Sequence, residues 1–91
     1  MIKSLADRLT KSLFEEGSAK GVNDGLAAVA RRKLDQINAA VSLGDLRIPP
    51  GNRLKRLQGG DRWAIRVNER WRITFEWRDG DAQNVKFEDH R

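Results

Sequence analysis

The chain has 91 residues, with 18 lysines and arginines against 13 aspartates and glutamates, and it contains no cysteine. This length leaves room for a single domain, 1–91, with a modest core, and the lack of cysteine excludes disulfides and thiolate metal sites. No apolar run approaches the roughly 18 residues of a membrane span and the first residues lack a signal-peptide core, so we expect a cytoplasmic protein with no membrane partner.

The positive charge is concentrated in one segment. Residues 47–78 hold nine basic and three acidic residues and carry a net charge of +6, whereas the rest of the chain sums to −1. A local excess of this kind is typical of a surface that binds a polyanion. A solvated basic face that only aids solubility is the alternative explanation.

The first half of the chain predicts helices. Residues 1–4 predict a short edge strand. Residues 7–16 predict a helix that ends at Gly17, and residues 24–41 predict a second, amphipathic helix with Asn23 as its N-cap. We expect the basic residues 31–33 to lie on a solvated face of the second helix.

The second half predicts strands. The connector 42–51, SLGDLRIPPG, contains glycines and a proline pair that do not continue a helix. Four strands are predicted at 54–57, 63–67, 71–77 and 83–87, separated by the turn sequences QGGD, NER and DGD. The order of elements predicts an α+β domain: a short N-terminal strand and two helices packed on an antiparallel sheet.

In the segment 62–78, RWAIRVNERWRITFEWR, apolar and basic residues alternate with the two-residue period that is typical of half-buried strands. We expect its tryptophans and aliphatic residues, at odd positions, to be largely buried against the helices. Its even positions carry Arg62, Arg66, Arg72 and Arg78, and rigidly held guanidiniums are suited to phosphate. An alternative for Trp63 or Trp77 is stacking on a nucleobase.

Several separated segments carry a family resemblance: MIKS at the start, LFEEG at the end of the first helix, PPGNRL, RVNERWRITFEW, the following GDA, and an acidic residue in a short C-terminal tail. In these segments the chain resembles the HigB toxins of the RelE/ParE superfamily, the toxic half of type II toxin-antitoxin pairs. The resemblance implies the RelE-like fold, in which two helices pack on a curved antiparallel sheet whose open face binds RNA. It also implies ribosome-dependent cleavage of messenger RNA, with a HigA-type helix-turn-helix antitoxin that neutralises the toxin and binds the operator DNA.

The implied chemistry sets requirements for the site. Cleavage of RNA through its own 2′-hydroxyl needs that hydroxyl deprotonated, the extra charge on the phosphate stabilised and the departing 5′-oxygen protonated. We expect neither a metal nor another cofactor. The resemblance places an active-site arginine at Arg72, and the alternative for this residue is an ion pair with Glu76 alone.

The C-terminal tail, FEDHR, supplies further candidates. Relatives commonly end in Asp-Tyr-His. An ungapped comparison matches these three residues to Asp89, His90 and Arg91, whereas a one-residue shift matches His90 to the family's histidine. This chain has no tyrosine. Asp89 and His90 are therefore predicted to be catalytic, and an imidazole is the side chain that takes up and releases protons near neutral pH.

The remaining candidates are basic. Lys55 stands where relatives often carry a histidine and is predicted to supply positive charge to catalysis. The predicted RNA-binding residues are Arg53, Arg56, Arg62, Arg66, Arg78 and Arg91. Two other functions stay open, because the same scaffold hosts several: a ParE-like poison of DNA gyrase, and a non-enzymatic module that only binds nucleic acid.

Overall fold

A layer of two helices covers one face of a four-stranded antiparallel sheet, and the computed structural model describes this arrangement for residues 1–90. The strands follow one another in the order β1-β2-β3-β4. This confirms the predicted α+β class. The elements are α1 (Arg8–Glu16), α2 (Asp24–Ala39), β1 (Lys55–Arg56), β2 (Arg62–Arg66), β3 (Trp71–Arg78) and β4 (Asp81–Asp89).

Gly17 and Asn23 cap the helices as predicted, whereas α1 begins one residue later than predicted, at Arg8. Asp7 is the N-cap of α1 and accepts a hydrogen bond from the Thr10 amide at 2.9 Å. Gly17 ends this helix in the left-handed conformation, φ 76°, which glycine adopts without a steric penalty. Asn23 caps α2 as predicted, accepting from the Leu26 amide at 2.8 Å. The second helix ends at Ala39, two residues before the predicted end.

The N-terminal segment lies beside β4 in parallel orientation, although it forms isolated bridges at Ile2 and Leu5 instead of the predicted continuous strand. The interruption arises from an irregularity in β4. The β3 residue Thr74 pairs with Lys86 and Glu76 pairs with Gln83, so β4 has one residue more than β3 between these pairs. This is a β-bulge, and it changes which odd and even positions of β4 share a face.

The core lies between the helices and the odd-numbered face of β2 and β3. Ile65, Ile73 and Phe75 are fully buried in one hydrophobic cluster with residues of both helices. The tryptophans pack against this cluster, as predicted, but they are partly buried and not largely buried. Trp71 stacks on Phe87, with ring centroids 4.7 Å apart and planes inclined by 5°.

The helix α2 departs from the sequence expectation at one basic residue. Lys33 was expected on a solvated face, but it is buried and its ammonium donates a hydrogen bond to Oδ1 of Asn52. Burial lowers the pKa of Lys33, and the neighbouring Arg32 lowers it further. The cause is the connector, which contains 3₁₀ helices at Leu43–Arg47 and Pro50–Asn52 and brings Asn52 against α2.

Among the described residues, no helix combines the length and apolar character needed to cross a membrane.

The packing of Trp71 generates a stability prediction. Trp71→Ala removes the stack on Phe87 and part of the core boundary, and we expect it to lower the free energy of unfolding by about 3 kcal/mol, the low end for deleting a core aromatic, because the indole is only partly buried. Denaturant unfolding measures this. Lys86→Ala, an exposed site on β4, should stay within about 0.5 kcal/mol of the parent. Equal effects of the two substitutions would contradict the face assignment.

Candidate active site

The face of the sheet opposite the helices carries the arginines, as the alternation predicted. Strand pairing places Arg66 directly opposite Arg72 on the neighbouring strand, and Arg62 directly opposite Glu76. Side chains of directly paired residues lie on the same face, and like charges in such a pair repel. The sheet therefore carries two arginines of like charge on paired positions of its open face, and an anion bound there would offset their repulsion.

These two arginines line a cleft of about 420 Å³ on the open face. Its floor comes from β2 and β3, one wall from β1 and the loop before it, and the rest from the β2–β3 turn and the C-terminal tail. The lining residues are Arg53, Lys55, Ala64, Ile65, Arg66, Glu69, Arg72 and His90. The structure thus brings together three of the four predicted catalytic residues, with two of the predicted RNA-binding arginines.

The position of Arg72 is fixed by β4. Its Nη2 donates to Oε2 of Glu88 at 3.2 Å, and the Arg72 side chain is 20% exposed. Glu88 in turn accepts from the Thr74 hydroxyl at 3.0 Å, and Thr74 is itself buried. The chain of contacts ends at Arg62, whose Nη2 donates to Oγ1 of Thr74 at 2.6 Å.

Arg72 does not form an ion pair with Glu76, so the alternative interpretation of this arginine is wrong. Glu76 pairs with Arg62 at 3.5 Å and with Arg78 at 2.8 Å. Glu88 is the strand partner of Arg72 across β3 and β4. A carboxylate on the adjacent strand is closer than one two residues further along the same strand, because neighbouring strands lie about 4.8 Å apart.

The tail brings His90 to the cleft but not Asp89. Asp89 pairs with Trp71 in the strand register and so lies on the face of the helices. Its carboxylate forms an ion pair with Arg70, Nε to Oδ2, at 3.0 Å. The His90 amide also donates to the Arg70 carbonyl, at 2.6 Å. Both contacts attach the tail to the β2–β3 turn, and this attachment places His90 at the cleft.

Glu69 is a cleft residue that the sequence reasoning missed, because a charged residue in a hairpin turn is ordinarily solvated. Its position follows from Asn68, whose Oδ1 accepts from the amides of Arg70 at 2.8 Å and Trp71 at 2.7 Å. This Asx-type turn holds the next residue beside the cleft. Glu69 is the carboxylate in the cleft lining, so it adds an acid-base group that the C-terminal motif alone did not supply.

The other predicted RNA-binding residues surround the cleft or lie further along the same sheet. Arg56 is exposed and donates to the Gly60 carbonyl at 3.2 Å. Arg62 and Arg78 share Glu76. Arg66, inside the cleft, donates from Nε to the Asn68 carbonyl at 3.1 Å. Arg91 falls outside the described residues.

Comparison with known proteins shows the family of this chain. The family model for the RelE-like toxin of the type II toxin-antitoxin system HigB matches residues 3–90. The chain therefore belongs to the HigB-like toxin family. This confirms the resemblance on which the sequence-based expectations rested.

Two relatives illustrate the similarity. Toxin HigB-1 of Vibrio cholerae serotype O1 is 47% identical over 62 residues, which span 66% of this chain and 65% of the relative. Endoribonuclease HigB of Proteus vulgaris is 37% identical over 95 aligned positions that cover 99% of both chains. A toxin of a type II system has a protein antitoxin as its partner, so membership of the family identifies that class of partner here.

The tail contacts generate a structural prediction. If Arg70 anchors the tail through Asp89, then Arg70→Ala and Asp89→Ala should each speed hydrogen exchange of the His90 amide, and the double variant should show less than the sum of the two effects, because both substitutions break the same ion pair. Exchange followed by NMR measures this, with Arg56→Ala as an exposed control. Strictly additive effects, or none, would show that the ion pair does not hold the tail.

Proposed function

We propose that the protein is a ribosome-dependent endoribonuclease that cleaves messenger RNA and is neutralised by a HigA-type helix-turn-helix antitoxin. The observation that carries the proposal is the cross-strand pair Arg66 and Arg72 in a cleft that also holds Lys55, Arg53, His90 and Glu69. The full-length similarity to a protein named Endoribonuclease HigB supports it.

Phosphate is the ligand that the paired guanidiniums fit best. Both arginines line the same cleft, and guanidinium–phosphate hydrogen bonds are charge-assisted and often bidentate. In the cleavage reaction the 2′-oxygen bonds to phosphorus and the bond to the 5′-oxygen breaks. The phosphorane gains negative charge during this step, and Arg72, held by Glu88, stabilises it.

The two proton transfers fall to the cleft side chains that take up and release protons. Glu69 and His90 are the pair available among the described lining residues. One accepts the proton of the 2′-hydroxyl and the other donates a proton to the departing 5′-oxygen. Lys55, the strand partner of Ala64 on the open face, adds positive charge. Asp89, predicted to be catalytic, acts in this scheme through its ion pair with Arg70, which positions the tail.

In this proposal the ribosome orients the RNA, which the cleft alone does not do. The cleft is an open depression on a small sheet, and its acid-base groups come from a turn and a chain end. Free RNA would sample many orientations in such a site, whereas a messenger held in the decoding centre is already oriented, and orientation alone accounts for large rate effects. The exposed Arg78 extends the cationic surface of the open face beyond the cleft and contacts the RNA backbone. Arg56, predicted to bind RNA, pairs with Trp63 and so lies on the other face of the sheet.

The proposed substrate determines the cellular compartment in which the protein acts. A protein that acts on translating ribosomes works in the cytoplasm, and its antitoxin links it to operator DNA without direct contact between toxin and DNA.

The test is cleavage mapping in a translating extract. Arg72→Ala removes the main phosphate contact and should lower the rate of cutting within translated codons by about 10²- to 10³-fold, as for the loss of one transition-state donor. Primer extension from 5′ ends measures the rate. Arg8→Ala on the exposed surface of α1 makes the same charge change on the helix layer and should keep the parent rate.

Other results would assign another function. Intact transcripts in the extract, together with inhibition of purified DNA gyrase, would indicate a gyrase poison. Binding of RNA without any cuts, equally weakened by each arginine substitution, would indicate a module that only grips phosphate.

A further inference from the structure

The buried Lys33 is placed where a charged side chain is costly. It lies on α2 in the interior, and among residues 1–90 no carboxylate forms an ion pair with it. Burying an ammonium without a counter-ion is unfavourable unless its hydrogen bonds are satisfied. Its recorded partner is the side-chain oxygen of Asn52, which is fully buried.

Asn52 uses its other atoms to hold the loop. Its Nδ2 faces three acceptors: Oε1 of Gln36 on α2 at 3.1 Å, the Leu46 carbonyl at 3.2 Å and the Ile48 carbonyl at 3.5 Å. One amide group thus joins α2 to both parts of the connector. Lys33 completes the set by occupying the acceptor side of the same amide.

The loop held in this way carries two residues of the cleft. Arg53 directly follows Asn52 and has a left-handed backbone, φ 47°, with its amide donating to the Pro50 carbonyl at 3.1 Å. A non-glycine residue keeps this conformation where the surroundings enforce it. Two residues later Lys55 begins β1. Both side chains line the cleft.

We infer that Lys33 and Asn52 are positioning residues for the phosphate cleft: the hydrogen bond between them fixes the loop that presents Arg53 and Lys55 to RNA. Lys33 reaches no cleft atom itself, so it acts through the loop. The role of the loop in RNA binding rests on the proposed function. The restraint of the loop by Lys33 and Asn52 is supported by the contacts alone. It also gives a reason for a lysine at a buried helix position that packing alone would fill with an apolar residue.

The experiment is a double-mutant cycle on RNA affinity. Lys33→Met removes the donor and keeps the length of the side chain. The probe is a short RNA in which the scissile nucleotide is 2′-deoxy, so that it binds without being cut. We expect Lys33→Met to weaken binding about tenfold, the effect of losing one charge-assisted contact. In a background that carries both Arg53→Ala and Lys55→Ala, the same substitution should change affinity less than twofold.

The matched control is Arg62→Ala, a basic residue of the same face that the loop does not carry. Lys33→Met and Arg62→Ala should be additive, because independent sites are. Lys33→Gln, which keeps an N–H donor, should recover part of the affinity. An equal loss from Lys33→Met with and without Arg53 and Lys55 would overturn the inference.

A second readout does not depend on RNA. Hydrogen exchange should be faster at the amides of Asn52 and Arg53 in Lys33→Met, while exchange within β3 stays as in the parent. Gln36→Leu, which removes one acceptor of the same amide, should show a weaker form of this change and serves if Lys33→Met does not fold. Unchanged exchange at Asn52 and Arg53 would overturn the inference. Failure of the parent protein to bind the RNA, with faster loop exchange in Lys33→Met, would contradict the proposed function. It would still support the restraint of the loop by Lys33.

Discussion

The pleat of β2 and β3 places both the hydrophobic core and the cationic cleft, one on each face of the sheet. Successive side chains of a strand point to opposite faces, so one sequence builds both layers: Ile65, Ile73 and Phe75 bury against the helices, while Arg66 and Arg72 meet on the open side. A shift of register by one residue would place guanidiniums in the core. Such a shift would also expose a large apolar surface, and this free-energy cost stabilises the observed register. Burial of the core thereby fixes the position of the cationic cleft.

The cleft combines this rigid floor with three less regular walls. Each wall is attached by polar contacts: the loop before β1 through Asn52, the β2–β3 turn through Asn68, and the tail through Arg70. Fixed groups lose little freedom when a ligand binds, and donors that are held where charge develops stabilise a transition state without reorganisation. The same design explains why a chain with one histidine and no cysteine can hold a site of this kind: arginines and a lysine supply most of the charged groups of the cleft, and Glu69 and His90 add acid-base groups at its edge.

The sequence predicted features that depend on local pattern. The alternation across β2 and β3, the caps at Asn23 and Gly17, and the two-helix layer were all confirmed. Features that depend on tertiary contacts were missed. The bulge in β4 decides that Glu88 faces Arg72 and that Asp89 does not, and spacing alone cannot locate an inserted residue. The burial of Lys33 depends on where the connector folds, and Glu69 joined the cleft because the Asn68 turn directs it there.

NMR titration with a non-cleavable RNA oligonucleotide determines whether RNA phosphate binds the paired arginines on the open face of the sheet. We expect the guanidinium resonances of Arg66 and Arg72 to shift and saturate together, while the indole N–H signals of Trp63, Trp71 and Trp77 stay in place. Shifts confined to the indoles, with both guanidiniums unchanged, would contradict this expectation and would place the nucleic acid on the other face.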